Sequence, residues 1–308
     1  MLANVLIVVT GGAVRLTGSG LGCPTWPSCT EDSLTPTREY AAHGVIEFAN
    51  RQLTFVLSAV VLATLVVAVL VRRQVRLAVL VAASIPAQAV LGGITVLTGL
   101  NPWTVAAHFL LSMVIIAVAF ALWWRLRDDP EPGLRAAGSA GLRAAGAREL
   151  RAAGSAGLRA AAMVIVALTA AVLAIGTVVT GSGPHAGDNS ADGAIQRIDF
   201  DPASVSQLHA DVVLLLIGLS LGFAVLARAA GASHGLRRAA WLLVGVELAQ
   251  GLIGFVQYFT HVPAVLVGIH MLGACLVWLA ALAVLARALA APSRTDPVLA
   301  KPLAGQRR

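Results

Sequence analysis

Three histidines in apolar segments are the residues of this chain with the most evident capacity for chemistry. Two of them belong to segments that repeat each other at an offset of 162 residues, and the repeat includes a glutamine, a glycine and a histidine: Gln88 and Gln250, Gly92 and Gly254, His108 and His270. The third is His209. Imidazole is a common axial ligand of haem iron, so these positions predict a metal or haem site.

The repeat also predicts the architecture that positions these histidines. An upstream echo, in which Thr17 to Gly20 resembles Thr180 to Gly183, extends the similarity between the two halves. Internal duplication of this kind is typical of membrane proteins built from two related units. We therefore expect an all-α integral membrane protein with eight transmembrane helices in two pseudo-symmetric four-helix bundles.

The composition agrees with a polytopic membrane protein. The chain has 308 residues, of which 58% are hydrophobic and 12% charged, and its mean hydropathy is +0.83. Spanning needs about 20 apolar residues, and eight stretches approach that length, roughly at 2–16, 46–71, 77–98, 103–124, 161–180, 205–227, 239–259 and 263–287. The first is short, and a signal peptide is its rival interpretation. We prefer a spanning helix, with a few cytoplasmic residues ahead of Met1, because no basic residue precedes this stretch.

Basic residues predict the orientation in the membrane. Of the 22 lysines and arginines, 18 lie on one side, in the connections after the second, fourth and sixth helices and in the C-terminal tail. By the positive-inside rule, this side and both termini are cytoplasmic, in a plasma membrane. The net charge of +7 then reflects topology and contact with membrane lipid, and it gives no indication of nucleic-acid binding.

These assignments divide the chain into four parts. Residues 1–127 and 161–290 are the predicted bundles, and bundles of this kind commonly hold a cofactor between facing helices. Residues 128–160 are a low-complexity cytoplasmic linker, which we expect to be flexible or partly helical near the lipid surface. Residues 291–308 are a cytoplasmic tail.

The three histidines are expected at similar depth. At ~1.5 Å per residue, His108 and His270 lie about 9–10 Å into their predicted helices, and His209 lies about 7 Å into its own. His209 and His270 come from even-numbered helices of one bundle, an arrangement that ligates haem iron axially. The alternative is that each imidazole hydrogen-bonds a neighbouring helix. Zinc is disfavoured because no His/Cys cluster offers four ligands.

The second predicted helix includes a polar turn. Glu47, Asn50 and Arg51 are spaced i, i+3 and i+4, so they share one face. An ionisable residue inside a membrane is costly, which makes Glu47 a candidate functional acid; a structural Glu47–Arg51 ion pair is the alternative.

Arg15, at the outer end of the first helix, could bind a haem propionate or reach lipid headgroups. Glu247, midway along the seventh helix, could relay protons or make a structural hydrogen bond.

Two cysteines fall in the first outer loop. Cys23 and Cys29 are separated by five residues, which can close a disulfide outside the cytoplasm. Such a pair could exchange electrons with a thiol-disulfide protein or serve as a structural staple.

Cys275, in the last helix, is expected to be a small apolar packing residue. His185 falls in the second long outer loop and is expected to be solvated.

Taken together, these features resemble haem A synthase, the cytochrome oxidase assembly family, in a bacterial form of actinobacterial type. The resemblance rests on two segments, a cysteine pair and three histidines: Gly11 to Leu21, Ile46 to Arg51, Cys23 and Cys29, His108, His209 and His270. It covers nearly the whole chain apart from residues 128–160.

The resemblance implies an oxidoreductase that converts the C8 methyl of haem O to a formyl group, which gives haem A for cytochrome c oxidase. It implies that His209 and His270 are the axial ligands of a haem b in the C-terminal half. The N-terminal half would bind the substrate haem. There Glu47 would be the catalytic acid and His108 a ligand of the substrate haem iron.

Three further residues would surround the substrate haem, namely Arg15, Asn50 and Arg51. In the family a second histidine ligand stands where this chain has Asn50, so the chain departs from the pattern there. His43 lies seven residues earlier, about 10 Å further out, and is too far away to replace the missing ligand. We therefore expect ligation by His108 alone.

The expected partners follow from the same resemblance. They are haem O, supplied by haem O synthase, then membrane lipid, and a thiol-disulfide protein at the outer loop. A dihaem membrane cytochrome that exchanges electrons with quinone is an alternative function, although it leaves the Glu47 turn without a role. A transporter built from repeats would explain the duplication but not the matched depth of the histidines.

Overall fold

A computed structural model describes residues 1–36, 41–127, 144–185, 187 and 196–290. Its regular secondary structure in these ranges consists of eight helices: α1 (Leu2–Leu16), α2 (Ala41–Leu70), α3 (Val75–Leu97), α4 (Pro102–Leu126), α5 (Ala144–Ser182), α6 (Pro202–Ala229), α7 (His234–Phe259) and α8 (Ala264–Ala290). The all-helical class predicted from the sequence is therefore confirmed.

Seven of these helices, α2 to α8, contain a span long and apolar enough to cross a membrane, whereas α1 has 15 residues and is shorter. Large apolar side chains point outward from them, as with Phe55 at 69% exposure and Leu252 at 66%. An apolar exterior suits lipid, and a helix satisfies its own backbone polar groups there. The chain is a multi-pass membrane protein.

Two helices are longer at their start than their apolar stretches. Helix α2 begins at Ala41, and α5 begins at Ala144, inside the stretch 128–160 that the sequence assigned to a flexible or partly helical linker. Alanine and arginine have high helix propensity, which accounts for the extension of α5. The rest of that linker and the predicted tail, residues 291–308, lie outside the described residues.

Side-chain caps define where α4, α6 and α7 begin. Asn101 accepts a hydrogen bond from the backbone N–H of Trp103, Asp201 from that of Ser204, and Ser233 from that of Leu236. Such caps satisfy N–H groups that have no partner within the helix. The hydrogen bonds from the Ser204 hydroxyl and backbone hold the pKa of the Asp201 carboxyl below its ordinary value.

The helices pack in two groups with the same internal order. In the N-terminal helix group, α1 to α4, each helix contacts the next along the chain, and α4 contacts α1; the C-terminal helix group, α5 to α8, closes in the same way. Within the described residues, the backbones of α2 and α4 do not approach each other closely, nor do those of α6 and α8, so each of these pairs lies diagonally across its group.

The two groups meet through α1 with α8, α4 with α5, and α4 with α8. At the centre of this interface the indole N–H of Trp278 on α8 donates to the backbone carbonyl of Met113 on α4, at 2.9 Å. Buried side chains such as Ile116 and Leu173 surround the contact. Because the tryptophan is buried, its polar N–H needs such a partner.

The apolar core of the C-terminal helix group fills one end of that group. Its members come from residues 158–166, 216–227, 236–246 and 277–288. His209 and His270 lie at the opposite end, close to the starts of α6 and α8. We call this the histidine end of the molecule, and His108 near the start of α4 belongs to it.

Candidate functional site

Each of the three histidines lies against a glycine of the helix that precedes it. If a Cβ were added to that glycine, the imidazole Cε1 would be 3.2 Å away for Gly92 and His108, 3.2 Å for Gly176 and His209, and 3.7 Å for Gly254 and His270. We call each of these pairs a glycine contact. For Gly92 and Gly176, the absence of a side chain lets the ring approach the neighbouring backbone more closely than a Cβ would allow.

The Nδ1 atoms of the three imidazoles are buried and have no hydrogen-bond partner among the described residues. This finding does not support the alternative in which each ring hydrogen-bonds a neighbouring helix through that atom. Leaving a buried polar group unsatisfied costs about 1–3 kcal/mol. Three rings at one end of the molecule therefore lack a described hydrogen-bond partner at this atom, and imidazole is a side chain suited to haem iron.

His209 and His270 lie on diagonal helices of the C-terminal helix group, against Gly176 of α5 and Gly254 of α7. His209 is seven residues after the first residue of α6 and His270 is six after that of α8. At ~1.5 Å per residue both are about 9–10 Å from the start of their helix, which agrees with the similar depth expected from the sequence.

The glutamines of the sequence repeat bind the main chain of the histidines that follow them. The side-chain Nε2 of Gln88 donates to the backbone carbonyl of His108 at 3.1 Å, and that of Gln250 donates to the carbonyl of His270 at 2.9 Å. Each bond ties an odd-numbered helix to the next even-numbered helix at the level of the histidine.

Asn50 occupies the corresponding place on α2. Its Nδ2 atom is 3.9 Å from the position that a Cβ would take on Gly11 of α1, and its Oδ1 atom is buried without a partner among the described residues. The C-terminal helix group has the same pairing of a glycine on its first helix with a polar side chain on its second, namely Gly176 with His209. The first group therefore has an amide where the second has an imidazole.

Glu47 and Arg51 form an ion pair on α2, so the structural pair that was one of the two interpretations of this turn is present. The Arg51 guanidinium donates to Glu47 Oε1 at 2.6 Å and 3.1 Å. Glu47 Oε2 accepts the backbone N–H of Cys23 at 2.7 Å. Glu47 is only 6% exposed, so these bonds stabilise a carboxylate that water does not solvate.

Arg51 also binds the loop of residues 17–36, which we call the disulfide loop. Its guanidinium donates to the carbonyls of Cys23 at 2.9 Å, Thr25 at 3.1 Å and Ser28 at 3.1 Å. Cys23 and Cys29 are disulfide-bonded and fully buried, which confirms the predicted pairing. The loop is thus fastened to α2 by the residues that the sequence marked as a polar turn.

Trp26, at the tip of the disulfide loop, lies on Gly93 of α3. A Cβ on Gly93 would be 2.5 Å from Cδ2 of the indole, so only glycine allows this contact. Gly92, the neighbouring residue, contacts His108. Sequence analysis did not identify this role of Trp26; the adjacent glycines inside an apolar helix were the available signal.

Arg15 joins the two helix groups at the histidine end. Its guanidinium donates to the carbonyl of His185 at 2.7 Å and to that of Thr180 at 3.1 Å. The ring Nε2 of His185 bonds the carbonyl of Val262 at 2.8 Å, and His185 is half-buried. The expectation that His185 is solvated is therefore wrong, because the end of α5 and the α7–α8 turn enclose it.

Two further polar residues have partners of their own. His43 Nδ1 is 3.0 Å from the Ser19 hydroxyl, and His43 is exposed near the start of α2, away from the glycine contact of Asn50. The Ser220 hydroxyl donates to Glu247 Oε1 at 2.9 Å, and both residues are buried. This is the structural hydrogen bond that was one of the two interpretations of Glu247.

Comparison with known proteins adds two findings. The family described as "Cytochrome oxidase assembly protein" matches residues 1–282 of the chain. A "Heme A synthase" from Geobacillus thermodenitrificans is 28% identical over 144 residues, which are 45% of this chain and 44% of that relative. The aligned part thus spans less than half the length of the relative.

Proposed function

The chain belongs to the cytochrome oxidase assembly protein family, and on that premise we propose that it is a haem A synthase. The reaction is oxidation of the C8 methyl of haem O to a formyl group, which yields haem A for cytochrome c oxidase. The observation that best supports this function is the set of three half-buried imidazoles at one end of the molecule, each with a buried Nδ1 atom and each on a glycine contact.

His209 and His270 are the proposed axial ligands of a haem b in the C-terminal helix group. They suit this role because they lie at one depth on diagonal helices of one group, with Nδ1 atoms that no described residue engages. When bound, this haem supplies a one-electron redox centre. The protein keeps the ligands apart and in position, and the apolar core beneath them excludes water.

The N-terminal helix group is the proposed site of the substrate haem O. His108 is its single ligand from the chain, because an amide is a poor iron ligand beside imidazole. Asn50 lies where the opposite ligand would be, with an unpartnered carbonyl oxygen that can accept a hydrogen bond. Trp26 covers α3 beside this site.

Glu47 is the proposed catalytic carboxylate of the site. Oxidation of a methyl group releases protons, and a buried carboxylate next to the substrate can accept one. In the structure the carboxyl oxygens of Glu47 accept hydrogen bonds from Arg51 and from the N–H of Cys23. Arg15 and Arg51 supply positive charge at the same end of the molecule, which suits haem propionates.

The proposed arrangement in the membrane is two pseudo-symmetric four-helix bundles with eight spans. The identical packing order of the two helix groups and the recurring glycine contacts support the symmetry. The distribution of basic residues supports a plasma membrane location with both termini in the cytoplasm. Haem O from haem O synthase, membrane lipid and a thiol-disulfide protein at the disulfide loop are the proposed partners.

A dihaem cytochrome that exchanges electrons with quinone is the second candidate. One observation favours it: Glu47 makes a full set of structural bonds, so it does not require a catalytic role to explain its burial.

Pigment analysis tests the proposal and separates the two candidates. The protein is expressed in a host that makes haem O but lacks its own haem A synthase, and the membrane haems are extracted and separated by chromatography. We expect haem A or its hydroxylated precursor to accumulate. If haem O is the only farnesylated haem in the extract and the protein carries low-spin haem, the dihaem cytochrome is the function that remains.

A further inference from the structure

We propose that Gly92 and Gly176 are positioning residues that set the rotation of the imidazole rings of His108 and His209, whereas Gly254 beside His270 is not. The inference rests on the proposed function, since it concerns how these rings are presented to haem iron. It assigns to the glycines a task that metal-ligating histidines usually meet with a hydrogen bond.

The distances at the glycine contacts show which edge of each imidazole ring faces the glycine. From the Cβ position on Gly176, the His209 ring atoms lie at 3.2 Å for Cε1, 3.7 Å for Nδ1 and 3.9 Å for Nε2. For Gly92 and His108 the corresponding distances are 3.2, 3.7 and 4.0 Å. The Cε1 edge therefore faces the glycine in both pairs, with the two nitrogens at nearly equal distance on either side of it.

Hydrogen bonds do not determine this orientation. A ligating histidine commonly donates its second ring N–H to a carboxylate or carbonyl, and that bond fixes the ring. Here the three Nδ1 atoms have no partner among the described residues. Gln88 and Gln250 hold the backbone carbonyls of His108 and His270, but a main-chain bond leaves rotation of the ring free. Packing on the glycine is the remaining constraint.

The distances predict a graded response to alanine. At 3.2 Å the contact is tighter than ordinary carbon packing of about 3.5–4.0 Å, so a methyl group at Gly92 or Gly176 must turn or displace the ring. The 3.7 Å of Gly254 is an ordinary van der Waals contact, so a methyl group fits beside His270. The ligand on α6 is therefore more sensitive to its glycine than the ligand on α8.

Two glycines provide matched controls. Gly218 on α6 and Gly245 on α7 have open space where a Cβ would stand. Alanine at these positions changes helix propensity by the same amount as alanine at the glycine contacts, but it touches no ring.

Electron paramagnetic resonance of the oxidised, haem-containing protein tests the inference, since the g values of a low-spin haem depend on the angle between its two axial imidazole planes. For Gly176→Ala we expect a shifted largest g value, or loss of the low-spin haem with unchanged helical circular dichroism. We expect Gly254→Ala, Gly218→Ala and Gly245→Ala to match the unsubstituted protein. Gly92→Ala should change only the high-spin or weakly ligated signal of substrate-loaded protein.

The outcomes separate the inference from the function on which it rests. If the unsubstituted protein binds no low-spin haem, the proposed function fails. If it binds low-spin haem and the spectrum of Gly176→Ala equals that of Gly218→Ala, or if Gly254→Ala shifts as much as Gly176→Ala, the positioning proposal is wrong.

Discussion

Buried polar atoms at the histidine end divide into two kinds. The Glu47 carboxylate is engaged by Arg51 and by the backbone of Cys23, whereas the Nδ1 atoms of the three histidines and the Asn50 carbonyl oxygen have no partner among the described residues. A buried charge that loses its partner is strongly destabilising, and an unengaged buried atom costs free energy unless a ligand meets it. The second kind lies in the region where we propose that haem binds.

Replacement of Glu47 separates its two roles. Glu47→Gln keeps the volume of the side chain and an oxygen for the Cys23 N–H, but removes the negative charge opposite Arg51. We expect haem A formation to fall at least about 10-fold, a barrier change of ~1.4 kcal/mol, while low-spin haem per protein is retained.

The matched control is Glu31→Gln, which removes a charge from an exposed position in the disulfide loop. It should leave haem A formation unchanged. If Glu47→Gln forms as much haem A as the unsubstituted protein, Glu47 has only the structural role of an ion-pair partner of Arg51.

Among the structural elements, the disulfide loop depends on one side chain of α2. The planar guanidinium of Arg51 bonds three loop carbonyls and Glu47 at once, which a lysine cannot do because its ammonium is a point charge. Opening of the loop should therefore become easier in Arg51→Lys. Removal of one partner of a buried ion pair costs about 3–5 kcal/mol of stability. We expect Arg51→Lys, which keeps the charge, to cost ~1.5–3 kcal/mol.

Rates of disulfide reduction measure this opening. In Arg51→Lys we expect Cys23 and Cys29 to be reduced and alkylated at least about 10-fold faster than in the unsubstituted protein, because the disulfide is buried while the loop is closed. Arg197→Lys is the control, since Arg197 bonds a single carbonyl at an exposed position. Equal rates in both variants would mean that other contacts keep the loop closed.

Sequence reasoning recovered elements better than the contacts between them. Hydropathy located the apolar stretches because the bilayer demands them, and the spacing of Cys23 and Cys29 sufficed for the disulfide. The helical start of α5 was less evident, since glycine and alanine alternate there. Trp26 on Gly93 and Arg15 on His185 depend on how distant segments meet, and no local pattern specifies that.

The repeat of glutamine, glycine and histidine was visible in the sequence, but its physical meaning was not. The structure shows that the glutamine bonds the histidine backbone and that the glycine admits the ring. Gly176 and Gly11 complete the set, yet each is separated from its partner by a long loop, so a fixed spacing could not reveal them.

The distribution of charged residues predicts the orientation of the whole molecule in the membrane. Helix packing alone does not determine this orientation. The turns α6–α7 and α7–α8 lie at opposite ends of α7, and Ser233 and Thr260 in these turns are exposed. The native cysteines give little background, because Cys23 and Cys29 are bonded to each other and Cys275 is buried.

Labelling of single cysteines in intact cells therefore reports the orientation. A thiol reagent that cannot cross the membrane should label Thr260→Cys, and it should label Ser233→Cys only after the membrane is permeabilised. The reverse pattern would invert the predicted topology and put the histidine end on the cytoplasmic side.

We propose that one helix arrangement offers two haem sites with different ligand sets, His209 with His270 in one group and His108 with Asn50 in the other. Magnetic circular dichroism of the substrate-loaded protein distinguishes ligand sets directly. We expect one bis-histidine haem and one haem with a single histidine ligand, the second becoming bis-histidine in Asn50→His, where the side chain lies against Gly11. Two bis-histidine haems in the unsubstituted protein, one of them abolished by His43→Ala, would refute the single-histidine site.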